Sequence, residues 1–207
     1  AVQSAREAAR RAQCSNNLKQ MALAMHNFAS ATDHFPPQAI RSKDGKPLLS
    51  WRVAILPYLE QNALYNEFHL DEPWDSPHNR ALAERMPSVY VCPSKPLPPG
   101  MTCYQVPFGP RTIFGEEKGC RLAQIADGTS NTIMIVEAQE PVLWTKPDDL
   151  TCDPKAVDVV PAVGSAHPGG WNAAFADGSV RFIRNTIDLN IVRAMLTRDG
   201  GEIVNLP

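Results

Sequence analysis

Apolar residues recur at steps of three and four through residues 1–31: Val2, Ala5, Ala9 and Ala12, then Leu18, Met21, Met25 and Phe28. That period is helical and predicts one long helix over 1–31. The abundance of alanine and the placing of Glu7 against Arg10 and Arg11 support it. A helix of that length spans roughly 45 Å at about 1.5 Å per residue. Its first half is lined only with alanine and has little to bury. The second half carries larger apolar side chains and is expected to dock on a domain formed by 32–207. Asp33, His34 and Pro36-Pro37 end the helix.

A second helical region is predicted over 50–68, where Ser50 can cap and Val53, Leu56, Leu59, Leu64 and Phe68 supply an apolar face. Pro57 must kink or split it. A short third helix is predicted over 79–85. The period then changes to two. Residues 88–92 read as a strand stopped by Pro93, and 133–136 as a β-branched strand after the turn-rich run 127–131. Residues 171–176 and 179–183 flank Asp177-Gly178, a hairpin signal in which both turn positions are expected at positive φ. A terminal helix over 187–196 and a last strand over 202–204 complete the pattern. One long helix, short helices and antiparallel strands describe an α+β fold.

The composition is that of a globular chain, 43% hydrophobic and 20% charged, with a net charge of -2. No global field recruits nucleic acid or an anionic membrane. Nineteen prolines imply short elements joined by rigid loops. The five cysteines contain no C-x-x-C pair, which argues against a zinc ribbon or a thioredoxin-type site. Spaced so widely, they suit either buried thiols or disulfides made in an oxidising compartment, and the odd count leaves one unpaired. No stretch is apolar for the roughly 18 residues a bilayer requires. Ala1 opens directly onto the helical pattern, as in a chain cut inside a helix.

The candidate chemistry is thin. His167 and Asp177 are the most enzyme-like pair, yet a hairpin accounts for Asp177-Gly178, and no substrate or orienting partner is readable. Ser130 and Ser165 lie near turns but in no G-x-S-x-G elbow. Cys92, followed by Pro93 and Ser94, has no readable activating partner. Asp148, Asp149, Asp153 and Asp158 do not match an EF-hand and are read as a solvated acidic run. The histidines show no H-x3-H pair for zinc. Trp74, Trp144 and Trp171 are speculative ligand contacts; with Trp51 they are otherwise core or rim residues. Arg6, Arg10 and Arg11 form a basic cluster on the first helix, suited to headgroups or acidic neighbours. No catalytic residue, metal or cofactor is expected.

Ordered motifs run along the chain: the first helix with Cys14-Ser15-Asn16-Asn17-Leu18, then Phe35-Pro36-Pro37, Ser50-Trp51-Arg52, and Leu56-Pro57-Tyr58-Leu59-Glu60-Gln61. Val91-Cys92-Pro93-Ser94, Asp127-Gly128-Thr129-Ser130-Asn131-Thr132-Ile133, Trp144-Thr145-Lys146-Pro147 and His167 through Asp177-Gly178 (H-x9-DG) follow. Together they resemble a planctomycete pilin-like family of unknown function, with a prepilin-type N-terminal cleavage and methylation segment. It is sometimes labelled a bacterial solute-binding family and is similar to pseudopilins of type II secretion. The resemblance implies an upstream leader and an apolar anchoring helix, a long helix backed by an antiparallel sheet, and a soluble part in the periplasm or at the cell surface. It implies protein subunits of a pilus-like assembly as partners, copies of itself among them. Cys14 and Cys92 fall in recurrent motifs and are the first candidate disulfide; Cys103, Cys120 and Cys152 do not. Lys95 stands where the family usually has an acidic residue. The expected function is a non-enzymatic structural or interaction protein, with a membrane-anchored ligand-binding module as the alternative.

Overall fold

A computed structural model describes residues 1–153, 162–202 and 204. Helix α1 runs from Val2 to Thr32, and Asp33 caps it in the left-handed region at φ 71, its N–H on Ala29 O. The face that α1 buries runs through Cys14, Leu18, Met21, Ala22 and Met25, while Val2, Ala5, Ala9 and Ala12 are exposed. The alanine line is therefore not the docking face. Half-buried Glu7 and Arg10 occupy the inward positions of the first turns instead.

A hairpin of β1 (Ala39–Arg41) and β2 (Pro47–Ser50) follows. The second helical region is split, as Pro57 requires. Its parts are α2 (Trp51–Ala54), a 3-10 turn over Leu56–Leu59 and α3 (Asn62–Glu67). Ser50 caps α2 by accepting from Arg52 N. Helix α4 (Pro77–Leu82) starts two residues earlier than expected, because Ser76 caps it and Pro77 takes its first position. Residues 88–92 form a 3-10 turn at Ser88–Tyr90, not a strand. Prolines at 87 and 93 bracket the segment, and Tyr90 turns inward to donate to Arg52 O at 2.8 Å.

The central sheet orders its strands β3-β5-β7-β8, all antiparallel. They are β3 (Met101–Gln105), β5 (Ile133–Leu143), β7 (Gly170–Phe175) and β8 (Val180–Arg184). Two short strands, β4 (Pro107–Phe108) and β6 (Leu150–Thr151), pair in parallel beside it. The β7–β8 turn corrects one detail: Gly178 alone adopts positive φ, at 86°. Gly178 N bonds Phe175 O and Phe175 N bonds Ser179 O, the three-residue loop with a bulge. A last helix, α5 (Leu189–Leu196), is capped by Asp188. The strand expected over 202–204 falls partly outside the described residues, and Glu202 and Val204 lie in no strand.

Both sheet faces are covered. On one, α1 packs with Met134, Ile135, Ala174 and Ala176. On the other, Trp171, Ala173 and Phe175 meet Val192, Met195 and Leu196 of α5. Every residue of β7 is buried for that reason.

Inside the larger core sits a charged pair. Arg52 and Asp149 are wholly buried and touch at 2.8 Å. Arg52 also donates to Tyr104 O at 2.9 and 3.0 Å and to Ser50 Oγ at 2.8 Å. Asp149 accepts from Trp51 Nε1, Gln38 Nε2 and Val106 N. The expected solvated acidic run is thus corrected at Asp149, which ties α2 to the chain around β4 and β6. Asp148 pairs with Lys146 at 2.7 Å, and Asp158 lies outside the described residues. Removing one partner leaves an uncompensated buried charge. Asp149→Ala is expected to lower unfolding stability by about 3–5 kcal/mol in urea denaturation. Glu67→Gln, which breaks the exposed pair with Arg85, should leave the midpoint nearly unchanged.

Candidate functional site

The inward stripe of α1 steps from Glu7 to Arg10 to Cys14 to Asn17, so Glu7 and Cys14 face the sheet from positions two turns apart. On β5, Glu137 lies two residues after Ile135 and shares its face toward α1. Asn172 and Ala174 of β7 point the same way. His167 arrives on the loop before β7, held by Ser165, whose hydroxyl accepts from His167 N and donates to Gly170 O, both at 3.0 Å. The H-x9-DG spacing therefore spans a loop, a full strand and its turn. It brings the histidine to one end of β7 and leaves Asp177 at the other.

These placements converge. His167 Nδ1 donates to Glu7 Oε1 at 2.7 Å, and Nε2 faces Glu137 Oε1 at 3.3 Å. The imidazole and the Glu137 side chain are both fully buried. Asn172 fixes Glu137 by donating from its backbone N at 2.8 Å and from Nδ2 at 3.1 Å. Arg10 donates to Glu7 Oε2 at 2.7 and 2.9 Å, and Ser94 Oγ reaches both Glu7 oxygens. Cys92 Sγ lies 3.9 Å from His167 Nε2, and Cys92 is disulfide-bonded to Cys14. Cys14, Cys92, Glu137 and His167 thus present ligand-type atoms that all lie within 4.8 Å of one another. Asn17, one turn on, donates to Val91 O at 2.8 Å and holds the Cys92 loop against α1.

Burial opposes charge on the imidazole, but the two glutamates outweigh it, so His167 titrates above its ordinary value. Glu7 is held below the usual carboxylate range, chiefly by its bond to His167. The remaining thiols are buried and unpaired. Burial pushes Cys103 and Cys152 up to about 12, which keeps them protonated and unreactive.

Other residues singled out from the sequence lie elsewhere. Asp177 is exposed at the hairpin tip and accepts from Ser179 N at 2.9 Å. Trp144 and Trp171 are buried in different clusters, and Trp74 is half-buried beside the first. The three indoles therefore do not share one open surface. Trp144 donates to Ala83 O and stacks with Tyr90, a packing role. Arg11 covers the Phe182 ring at 4.6 Å, and Arg6 is exposed. Lys95 donates to Ala138 O and Gln139 O beside Glu137. Glu137 and Asn172 were missed as site residues, and Glu7 was read only as a partner for arginine. The readable signal was a carboxylate directly after the apolar run 133–136, at a position whose parity faces the core.

Residues 3–106 and 153–190, more than half of the chain, match the sequence model of a family described as a protein of unknown function (DUF1559), whose short label is that of a bacterial solute-binding family. No curated protein and no solved structure matches the chain.

The site generates a pH prediction for the metal-free, disulfide-bonded chain. Because the folded pKa of His167 is raised, its stabilisation is fully present below the unfolded value of about 6.5 and is lost as pH rises through the folded value. The stability difference between the unaltered chain and His167→Gln should be larger at pH 6 than at pH 9 in urea titrations. An equal difference at both would contradict the charged-histidine reading.

Proposed function

The chain belongs to this family of unknown function, and we propose that it is a non-enzymatic, pilin-like structural or interaction module built around α1. The observation that carries the reading is how α1 is used. Its second half is sunk in the core, while the alanine face of its first half is exposed beside Val2, 65% accessible. A narrow alanine face lets helices approach closely, as packing among copies requires. The four-stranded antiparallel sheet behind α1 supports the same reading, as does the motif resemblance.

The buried histidine supports a non-catalytic role. A general base must reach a proton on its substrate, and His167 is enclosed by the chain and already engaged at both nitrogens. No described helix is long and apolar enough to cross a membrane. In this reading α1 is the soluble half of a longer helix whose apolar part is the anchor, the domain is held outside the inner membrane, and its partners are protein subunits.

A photo-crosslinking side chain placed at Ala5, Ala9 or Ala12 of the full gene product, expressed in cells, tests this. Higher-mass adducts from these positions, in the membrane fraction, are expected. The same group at exposed Asp44 should give none. Monomer from every position, in a protein recovered free of membranes, would remove the basis for the assembly role.

A further inference from the structure

We propose that Cys14, Cys92, Glu137 and His167 form a zinc site that is available when the Cys14–Cys92 disulfide is reduced, so that disulfide and metal are alternative clamps at one place. The donor set is two thiolates, one imidazole and one carboxylate, which zinc takes in tetrahedral geometry. Bonds of about 2.0–2.3 Å place tetrahedral ligand atoms about 3.3–3.8 Å apart. His167 Nε2 stands 3.3 Å from Glu137 Oε1 and 3.9 Å from Cys92 Sγ, close to those edges. All four ligand-type atoms lie within 4.8 Å of one another and all four residues are buried. Reduction opens the sulfur–sulfur bond, and separations of up to 4.8 Å then close by about 1 Å to reach a tetrahedral edge.

The surroundings are those of a metal ligand set. Metal-bound histidine ordinarily gives its other ring N–H to a carboxylate, which fixes the tautomer and aims the free nitrogen. His167 does this already: Nδ1 is bound to Glu7 while Nε2 points at the sulfur and Glu137. Glu137 is in turn oriented by Asn172. Arg10 on Glu7, with Lys95 beside residues 138 and 139, offsets the negative charge of the set. The four ligands come from α1, the 91–94 loop, β5 and the loop before β7. One ion would thus hold the same elements the disulfide and ion pairs now hold.

The exchange balances. A small dithiol gives two electrons to the disulfide and closes to its own cyclic disulfide, releasing two protons. A phosphine gives the same two electrons, takes an oxygen atom from water as its oxide, and leaves two thiol protons that zinc displaces. Cys14 and Cys92 become thiolates on Zn²⁺, and the Nε2 proton of His167 leaves as the third.

The test uses the full chain, reduced without oxygen by a phosphine and dialysed against zinc, with the oxidised chain in parallel. One zinc per chain is expected in the reduced protein and none in the oxidised one. In the reduced protein zinc should protect Cys14 and Cys92 from alkylation, read by peptide mass spectrometry. Cobalt in place of zinc should give the visible spectrum of a tetrahedral thiolate site. Glu7→Gln should weaken zinc binding by about 10–100-fold, the usual effect of losing a carboxylate behind a metal-bound histidine. Equal metal content in both redox states, protection of other cysteines, or unchanged affinity in Glu7→Gln would each overturn the site. The alkylation pattern decides on the unaltered chain if the variant fails to fold.

Discussion

One imidazole, enclosed by the protein, lies between two carboxylates that come from different layers of the fold. His167 bonds to Glu7 of α1 on one side and meets Glu137 of the central strand on the other. Each of the three groups would be costly to bury alone, so each needs the other two. The long helix, the sheet and the loop before β7 are therefore fixed to one another at a single point. Arg10, Ser94 and Asn172 donate to the same carboxylates, and a network so satisfied fixes its members in one geometry.

The rest of the molecule follows from that constraint. A helix whose first turns bury nothing apolar gains little from packing there, and tertiary contact supplies most helical stability. The Glu7–His167 contact and the Cys14–Cys92 bond pin α1 where its apolar stripe has only begun. The disulfide closes a separation of 78 residues, which on the chain-entropy account contributes about 4.5 kcal/mol. Farther along, Leu18, Met21 and Met25 take over, and the helix is held by ordinary burial. The Arg52–Asp149 pair performs a similar task for the proline-rich half, locking α2 to strands it does not pair with. Two buried ionic knots, one per region, replace part of the regular structure that nineteen prolines deny the chain.

How much of this was legible depends on the range of each interaction. The long helix, the split at Pro57 and the β7–β8 hairpin rest on local periodicity and turn chemistry and stand where those rules put them, apart from the turn itself, which uses three residues with positive φ at Gly178 alone. Residues 88–92 read as a strand because Val89 and Val91 alternate with polar neighbours. The bracketing prolines and the inward turn of Tyr90 decided otherwise. The ionic site was opaque because its members sit at positions 7, 137 and 167, and no spacing rule links them. Glu7 fitted a local pairing with Arg10 that is real but incomplete. Asp149 looked like part of an acidic surface run because its cationic partner lies almost a hundred residues away, at Arg52. Cys14, Cys92, Glu137 and His167 share no short motif for the same reason, since these ligand-type residues meet only after the sheet has formed.

The tie between α1 and the loop before β7 is the claim on which the account rests, and a double-mutant cycle measures it most directly. Glu7→Gln, His167→Gln and the double variant, unfolded in urea at pH 6 with the disulfide intact, yield the coupling between the two side chains. A favourable coupling of at least about 1 kcal/mol is expected for a contact of this kind. Additive effects, with no coupling beyond a few tenths of a kcal/mol, would mean that the helix is held by its apolar stripe and disulfide alone.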